Sequence, residues 1–200
     1  MCGRYYVDDD TMDEVERVME QASGGLYVQN REKLQLIPKD ILPSDEALVL
    51  KATRQGIICC LQKWGIPGFQ QGQLLINARS ETVTDKRIFK EGILRRRIVI
   101  PAAGFYEWNA NKEKNIFTRK DRRAVFMAGF SDKGEDGDRF VILTTAANAS
   151  MKAVHDRMPV ILEEQDIPTW LLDEARMGAL MRKVSCELER KTDYEQLSLF

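Results

Sequence analysis

Hydrophobic and polar positions follow two rhythms along this chain. Between residues 11 and 22, Val15, Val18, Met19 and Ala22 recur at intervals of three and four, the spacing of one helix face. Thr11 and Glu14 supply a T-x-x-E capping box at its start, and Gly24-Gly25 ends it. Elsewhere the rhythm is shorter. "GIICCLQKWG" (56–65), "QLLINAR" (73–79), "RIVIPAAGFYEW" (97–108), "AVFMAGFSD" (124–132), "RFVILTTAA" (139–147) and "MPVIL" (158–162) read as strands. The polar link "KGEDGD" (133–138) predicts a hairpin loop. A second helix is expected over 166–175, with Asp166 as cap and Pro168 in its first turn. Strand mostly follows strand without regular βαβ alternation. The expected fold class is therefore α+β: a single domain with a largely antiparallel, barrel-like β core and peripheral helices. No repeat or long linker divides residues 1–195, and residues 196–200 form a separate tail.

Composition narrows the function classes. The 200 residues are 44% hydrophobic and 30% charged, with a net charge of −1, an ordinary globular balance. No apolar run approaches the ~20 residues that span a bilayer, and no signal-peptide pattern precedes the domain. Cys2, Cys59, Cys60 and Cys186 show no C-x-x-C spacing, so neither a zinc site nor a disulfide framework is expected, and a reducing cytoplasm is the default location. No metal and no cofactor are expected. Charge is unevenly placed: residues 86–97 carry six basic side chains against one acidic, and residues 112–123 carry six against two. Salt-bridged surface faces are the default reading of both runs, with phosphate binding as the alternative.

Four features invite chemistry. Cys2 follows the initiator methionine, and loss of Met1 would give it a free α-amine beside its thiol, a pair no internal cysteine offers. Asn77 and Arg79 close an apolar strand, with Glu81 just beyond. Glu107 sits between two aromatic residues, where desolvation raises a carboxyl pKa. His155, the only histidine, precedes Asp156 and Arg157.

In order, "MCGRY", "WGIP", "INARSET", "IPAAGFYEW", "TTAAN" and "HDRMPVIL" resemble the motifs of the SRAP family, the SOS response-associated peptidases understood as abasic-site processing proteins. The resemblance runs from Cys2 to about Leu172. This chain has Ile98 in "RIVIP" where the family often has a cysteine, and its "IPKDILP" around Pro38 matches the family's proline-rich loop more loosely.

The resemblance implies that Cys2, once Met1 is gone, reacts with the aldehyde of an abasic site in single-stranded DNA. An α-amine of pKa ≈ 7.7–8.0 condenses to a Schiff base, and the thiol then closes a five-membered thiazolidine. Amine and thiol on adjacent carbons make that closure easy. The stable cross-link would shield the lesion. By the same resemblance Glu107 and His155 exchange protons, Asn77 orients the sugar and Cys2, and Arg4, Arg79 and Arg157 bind flanking phosphates. Trp64 and Pro38 are expected to stack near bases, and Thr145 to contact the sugar-phosphate. A rival reading is an N-terminal-nucleophile cysteine peptidase, in which Cys2 attacks an amide, with self-catalysed removal of Met1. A second rival is a DNA-binding module without chemistry. The expected state is a cytoplasmic, nucleoid-associated monomer that touches no membrane.

The chain ends in "QLSLF", which resembles the bacterial sliding-clamp-binding pentapeptide. That likeness implies a clamp partner engaged through Gln196, Leu197, Leu199 and Phe200.

Overall fold

A computed structural model of the protein describes residues 2–23 and 39–192. Pro38 and the tail residues Gln196, Leu197, Leu199 and Phe200 lie outside the described residues. The first strands are β1 (Tyr5–Val7), β2 (Lys39–Ile41), β3 (Glu46–Thr53), β4 (Gly56–Trp64), β5 (Ile66–Pro67), β6 (Leu74–Leu75) and β7 (Asn77–Arg79). They continue as β8 (Arg97–Ala102), β9 (Gly104–Trp108), β10 (Lys114–Arg119), β11 (Val125–Gly134), β12 (Gly137–Ala146), β13 (Arg157–Pro159), β14 (Ile161–Leu162) and β15 (Leu188–Thr192). The described helices are α1 (Asp9–Ser23), α2 (Arg87–Arg95), α3 (Ile167–Leu172) and α4 (Glu174–Arg182).

Strands β12, β4, β3, β8 and β11 pair in that order, and β11 pairs again with β12, so five strands close into a barrel. Its pairings are antiparallel except β12 with β4. A separate five-stranded sheet runs β15-β10-β9-β1-β2. The expected α+β class with a largely antiparallel, barrel-like core is what the chain adopts.

Alternation along the barrel strands builds two cores. On β8, Ile98 and Ile100 join Tyr5, Phe105, Phe117 and Trp64, whereas Val99 joins Val15, Phe89, Ile93 and Trp170 from the helices. Successive strand side chains point to opposite faces, so one barrel face packs on the second sheet and the other on the helices.

Several local expectations change. The stretch 97–108 is two strands in different sheets. The chain crosses over at Ala103, whose N–H donates to Tyr6 O at 2.9 Å, and a Cβ on Gly104 would lie 2.6 Å from Phe117 O. Glycine therefore permits the close approach of β9 and β10 at the crossing. The cap of α1 is Asp8 rather than Thr11: Thr11 N donates to Asp8 Oδ1 at 2.9 Å and Asp8 N to Thr11 Oγ1 at 3.3 Å. The reciprocal box begins three residues earlier, and the helix begins at Asp9. The stretch 166–175 is likewise two helices. Asp173 breaks it and caps α4, accepting from Arg176 N at 3.1 Å, while Asp166 pairs with Lys183 instead of capping. The 133–138 loop shrinks to a turn at Glu135 and Asp136, with Gly137 at φ +116°.

Both basic runs become ordinary structure. Residues 86–97 form α2 and the start of β8. Arg96 pairs with Glu91 and Asp132, and buried Arg97 donates to Leu94 O and Trp170 O. Residues 112–123 form β10 and its following turn, where Arg119, Lys120 and Arg123 pair with Glu163, Glu187 and Glu164. No described helix is long and apolar enough to cross a membrane.

Candidate active site

Cys2 is 1% exposed and packs into the core between the barrel and the second sheet. Its backbone carbonyl accepts a hydrogen bond from Asn77 Nδ2 at 2.8 Å. Asn77 can reach it because β7 lies parallel to β12, with Asn77 opposite Ile142. The other amide atom, Asn77 Oδ1, is buried without a hydrogen-bond partner. An unpaired buried acceptor is costly and marks a place where a donor is wanted.

Glu107 reaches the same region from β9. Alternation turns Tyr106 and Trp108 outward and Glu107 inward, leaving the residue only 3% exposed. Burial raises its pKa above the usual carboxylate value, and His155 pulls it back partway. Burial, and then the charge of Glu107, push the Cys2 thiol far above its ordinary value. The resting thiol therefore holds its proton. Glu107 thus lies within electrostatic reach of Cys2 on one side and of His155 on the other, although more than 100 residues separate Cys2 from Glu107 in sequence.

His155 stands in the turn between β12 and β13. Its Nδ1 accepts the N–H of Arg157 at 2.9 Å, so the neutral ring carries its proton on Nε2. The Asp156 carboxylate, whose side chain is 85% exposed, also lies 2.9 Å from Nδ1. One nitrogen cannot accept from the backbone and donate to Asp156 at once. The backbone bond, fixed by the strand, sets the neutral tautomer, and Asp156 becomes a partner only of a doubly protonated ring.

The three arginines differ. Arg79 is exposed, two residues beyond Asn77 on β7, and has no ion-pair partner among the described residues. Arg4 pairs with Asp40 and lies over the Tyr106 ring at 5.2 Å. Asp40 also accepts from Tyr106 Oη at 2.8 Å. Arg157 forms a two-pronged pair with Glu81 at 2.7 and 2.8 Å. That pair pulls the Glu81 pKa down. Thr145 lines a cavity of about 510 Å³ together with Ser80, Glu81, Thr84 and Arg182.

Trp64 is a correction. It is fully buried, stacks on Phe140 and touches Tyr5, and its Nε1 donates to Ile76 O at 3.0 Å. A ring so enclosed offers no face to a base. Among the described residues the most exposed aromatic is Phe69, at 87%, in the link between β5 and β6, the hairpin that leads directly into Asn77. Sequence reading passed over it, although it stands five residues after Trp64 among glycine, proline and glutamine. Asp40 also went unnoticed, because nothing local signals a carboxylate that reaches across strands. Among the described residues no three His, Cys, Asp or Glu side chains are placed to hold a metal ion.

Known proteins resemble this chain in sequence and in fold. Over 123 residues the chain is 36% identical to the abasic site processing protein YoaM of Bacillus subtilis, covering 54% of each chain. Over 143 residues it is 29% identical to the abasic site processing protein YedK of Escherichia coli, covering 68% of this chain and 64% of that one. The matches therefore span between half and two thirds of these relatives. An X-ray structure of a Bacteroides thetaiotaomicron protein shares the fold, with a TM-score of 0.76 at 21% identity, covering 96% of this chain and 91% of that one. A phage-related protein from Bordetella bronchiseptica does so with a TM-score of 0.74 at 24% identity, covering 97% and 95%. The family model described as SOS response associated peptidase matches residues 1–196, and the chain belongs to this SRAP family.

Proposed function

We propose that this protein captures abasic sites in single-stranded DNA through a covalent bond to Cys2, exposed as the N-terminal residue by loss of Met1, and shields the lesion as a thiazolidine. The observation that carries the reading is the fixing of Cys2 by Asn77 within electrostatic reach of Glu107, which in turn feels His155. The printed names of the relatives, abasic site processing proteins, support the lesion class.

The steps balance on these groups. The Cys2 amine adds to the C1′ aldehyde of the ring-opened sugar. The resulting carbinolamine loses water, with Glu107, whose pKa burial raises, giving its proton to the departing hydroxyl. The thiol sulfur then bonds to the iminium carbon, and the thiol proton passes to the Glu107 carboxylate, which restores the acid. The net products are a thiazolidine and one water. His155, with its ring proton on Nε2, assists opening of the sugar ring. Asn77 holds the Cys2 carbonyl so that amine and thiol face the incoming carbon. Arg79, without an ion-pair partner among the described residues, offers its guanidinium to a flanking phosphate, Arg4 and Arg157 offer guanidiniums now held by carboxylates, and Thr145 faces the sugar-phosphate. Phe69, rather than Trp64, supplies the stacking surface. Pro38 retains its proposed place beside the bases, and the tail Gln196, Leu197, Leu199 and Phe200 its proposed sliding-clamp contact.

Denaturing electrophoresis with a single-stranded oligonucleotide containing one abasic site tests the reading. A shifted band that survives denaturation is expected, and its absence would overturn it.

A further inference from the structure

We infer that Glu81 guards Arg157: its carboxylate fills the guanidinium fork that a DNA phosphate would take, and thereby holds down reversible binding to undamaged DNA. The inference rests on the reading of Arg157 as a phosphate ligand and adds a specificity role for a residue outside the chemistry.

The geometry is exclusive. Arg157 Nη1 and Nη2 donate to Glu81 Oε1 and Oε2 at 2.7 and 2.8 Å. This parallel two-bond arrangement is the same one a guanidinium makes with two phosphate oxygens. Nη2 also donates to Thr144 O at 2.6 Å, and Nε is buried without a partner. The Arg157 side chain is only 12% exposed, so it has little freedom to present a second edge. A phosphate must exchange with the carboxylate rather than join it. Arg79, on β7 across β12 from Arg157, has no ion-pair partner among the described residues.

Glu81 has somewhere to go. It is 47% exposed and borders the cavity of about 510 Å³ that it shares with Ser80, Thr84, Thr145 and Arg182. Arg182, exposed at that rim, has no ion-pair partner among the described residues. A carboxylate displaced from Arg157 therefore meets open space and a second cation. The advantage of such a guard follows from the proposed chemistry. A covalent adduct needs only a brief encounter, so weak reversible affinity does little harm at a lesion and frees the protein from intact strands.

The test measures binding of an undamaged single-stranded oligonucleotide by fluorescence anisotropy at several salt concentrations. The proteins are wild type, Glu81→Gln, Glu81→Ala, Arg157→Ala and the double variant Glu81→Gln/Arg157→Ala. Each Glu81 single variant should bind about 3- to 10-fold tighter than wild type. The slope of log K against log salt should steepen by about 0.7, the increment of one added phosphate contact on a single strand. In the Arg157→Ala background, Glu81→Gln should change affinity by less than about twofold. Unchanged or weaker binding by both Glu81 variants would overturn the proposal. So would an equal gain without Arg157, since that is plain loss of a repelling charge. Undamaged DNA carries no aldehyde, so these outcomes do not depend on cross-linking. A wild type that binds intact strands but fails to cross-link abasic DNA overturns the covalent reading alone, whereas failure of every protein to bind single strands overturns both.

Discussion

Asn77 Nδ2 donates to the backbone carbonyl of Cys2 at 2.8 Å, joining the second residue of the chain to the first residue of β7. The bond is local in space and remote in sequence. It gives the amide a use that packing alone does not explain.

Asn77→Ala should lower stability by about 1 kcal/mol, the net worth of one hydrogen bond. Cross-linking of abasic DNA at saturating concentration should slow by up to about 100-fold, as expected when reacting groups drift by an ångström. Rapid-quench gels read the rate and thermal melting reads the stability. A rate that falls no further than stability predicts would reduce Asn77 to a structural tie.

The raised pKa of Glu107 sets a pH signature. The folded protein holds the proton more tightly than the unfolded chain, so the stability from this group is present in acid and lost as pH rises through the raised pKa. Glu107→Gln mimics the protonated form. It should melt like wild type near pH 4 and higher than wild type near pH 8, by about 2–4 °C for each kcal/mol involved. Its cross-linking should be slower by about 10²–10⁴-fold. Equal melting at all pH values would mean that its surroundings do not raise the pKa of Glu107.

Trp64 and Phe69 should separate stability from binding. Trp64→Ala empties a fully enclosed site and should cost about 3–5 kcal/mol of stability, with DNA affinity per folded molecule unchanged. Phe69→Ala removes a ring that is 87% exposed and should leave melting unchanged while weakening DNA binding by about 1–3 kcal/mol. Calorimetry and anisotropy on the same two proteins decide between this assignment and its reverse.

The tail predicts a partner. Truncation after Glu195 should abolish binding to a bacterial sliding clamp in direct titration and leave cross-linking to free abasic DNA intact. Burial of Phe200 is worth ~1.5–3 kcal/mol. A full-length protein with no affinity for the clamp would remove this expectation.

The residues most legible in the sequence were polar ones where a strand pattern asks for apolar ones: Asn77 at the end of "LLIN", Glu107 inside "GFYEW", and His155 as the sole imidazole. Alternation could show that Glu107 and its neighbours face opposite ways, but not which face meets the core. The same ambiguity misplaced Trp64, since an aromatic ring suits a core as well as a stacking surface. Strand β3 escaped notice because its apolar run, Ala47–Leu50, is short and buried on both faces, which leaves no period to read. The break between β8 and β9 was hidden for the opposite reason. Apolar residues continue through it, and only the small pair Ala103-Gly104 hints that the chain changes sheets. The pairing of Arg4 with Asp40 and of Arg157 with Glu81 depends on contacts 36 and 76 residues apart, which no local pattern encodes.

The most direct test of the central claim is the intact mass, under denaturing conditions, of the protein after incubation with a single-stranded oligonucleotide carrying one abasic site. The account predicts one adduct whose mass is the chain beginning at Cys2 plus the oligonucleotide less one water, absent from Cys2→Ser. An adduct that retains Met1 on every molecule, or one formed equally by Cys2→Ser, would contradict it.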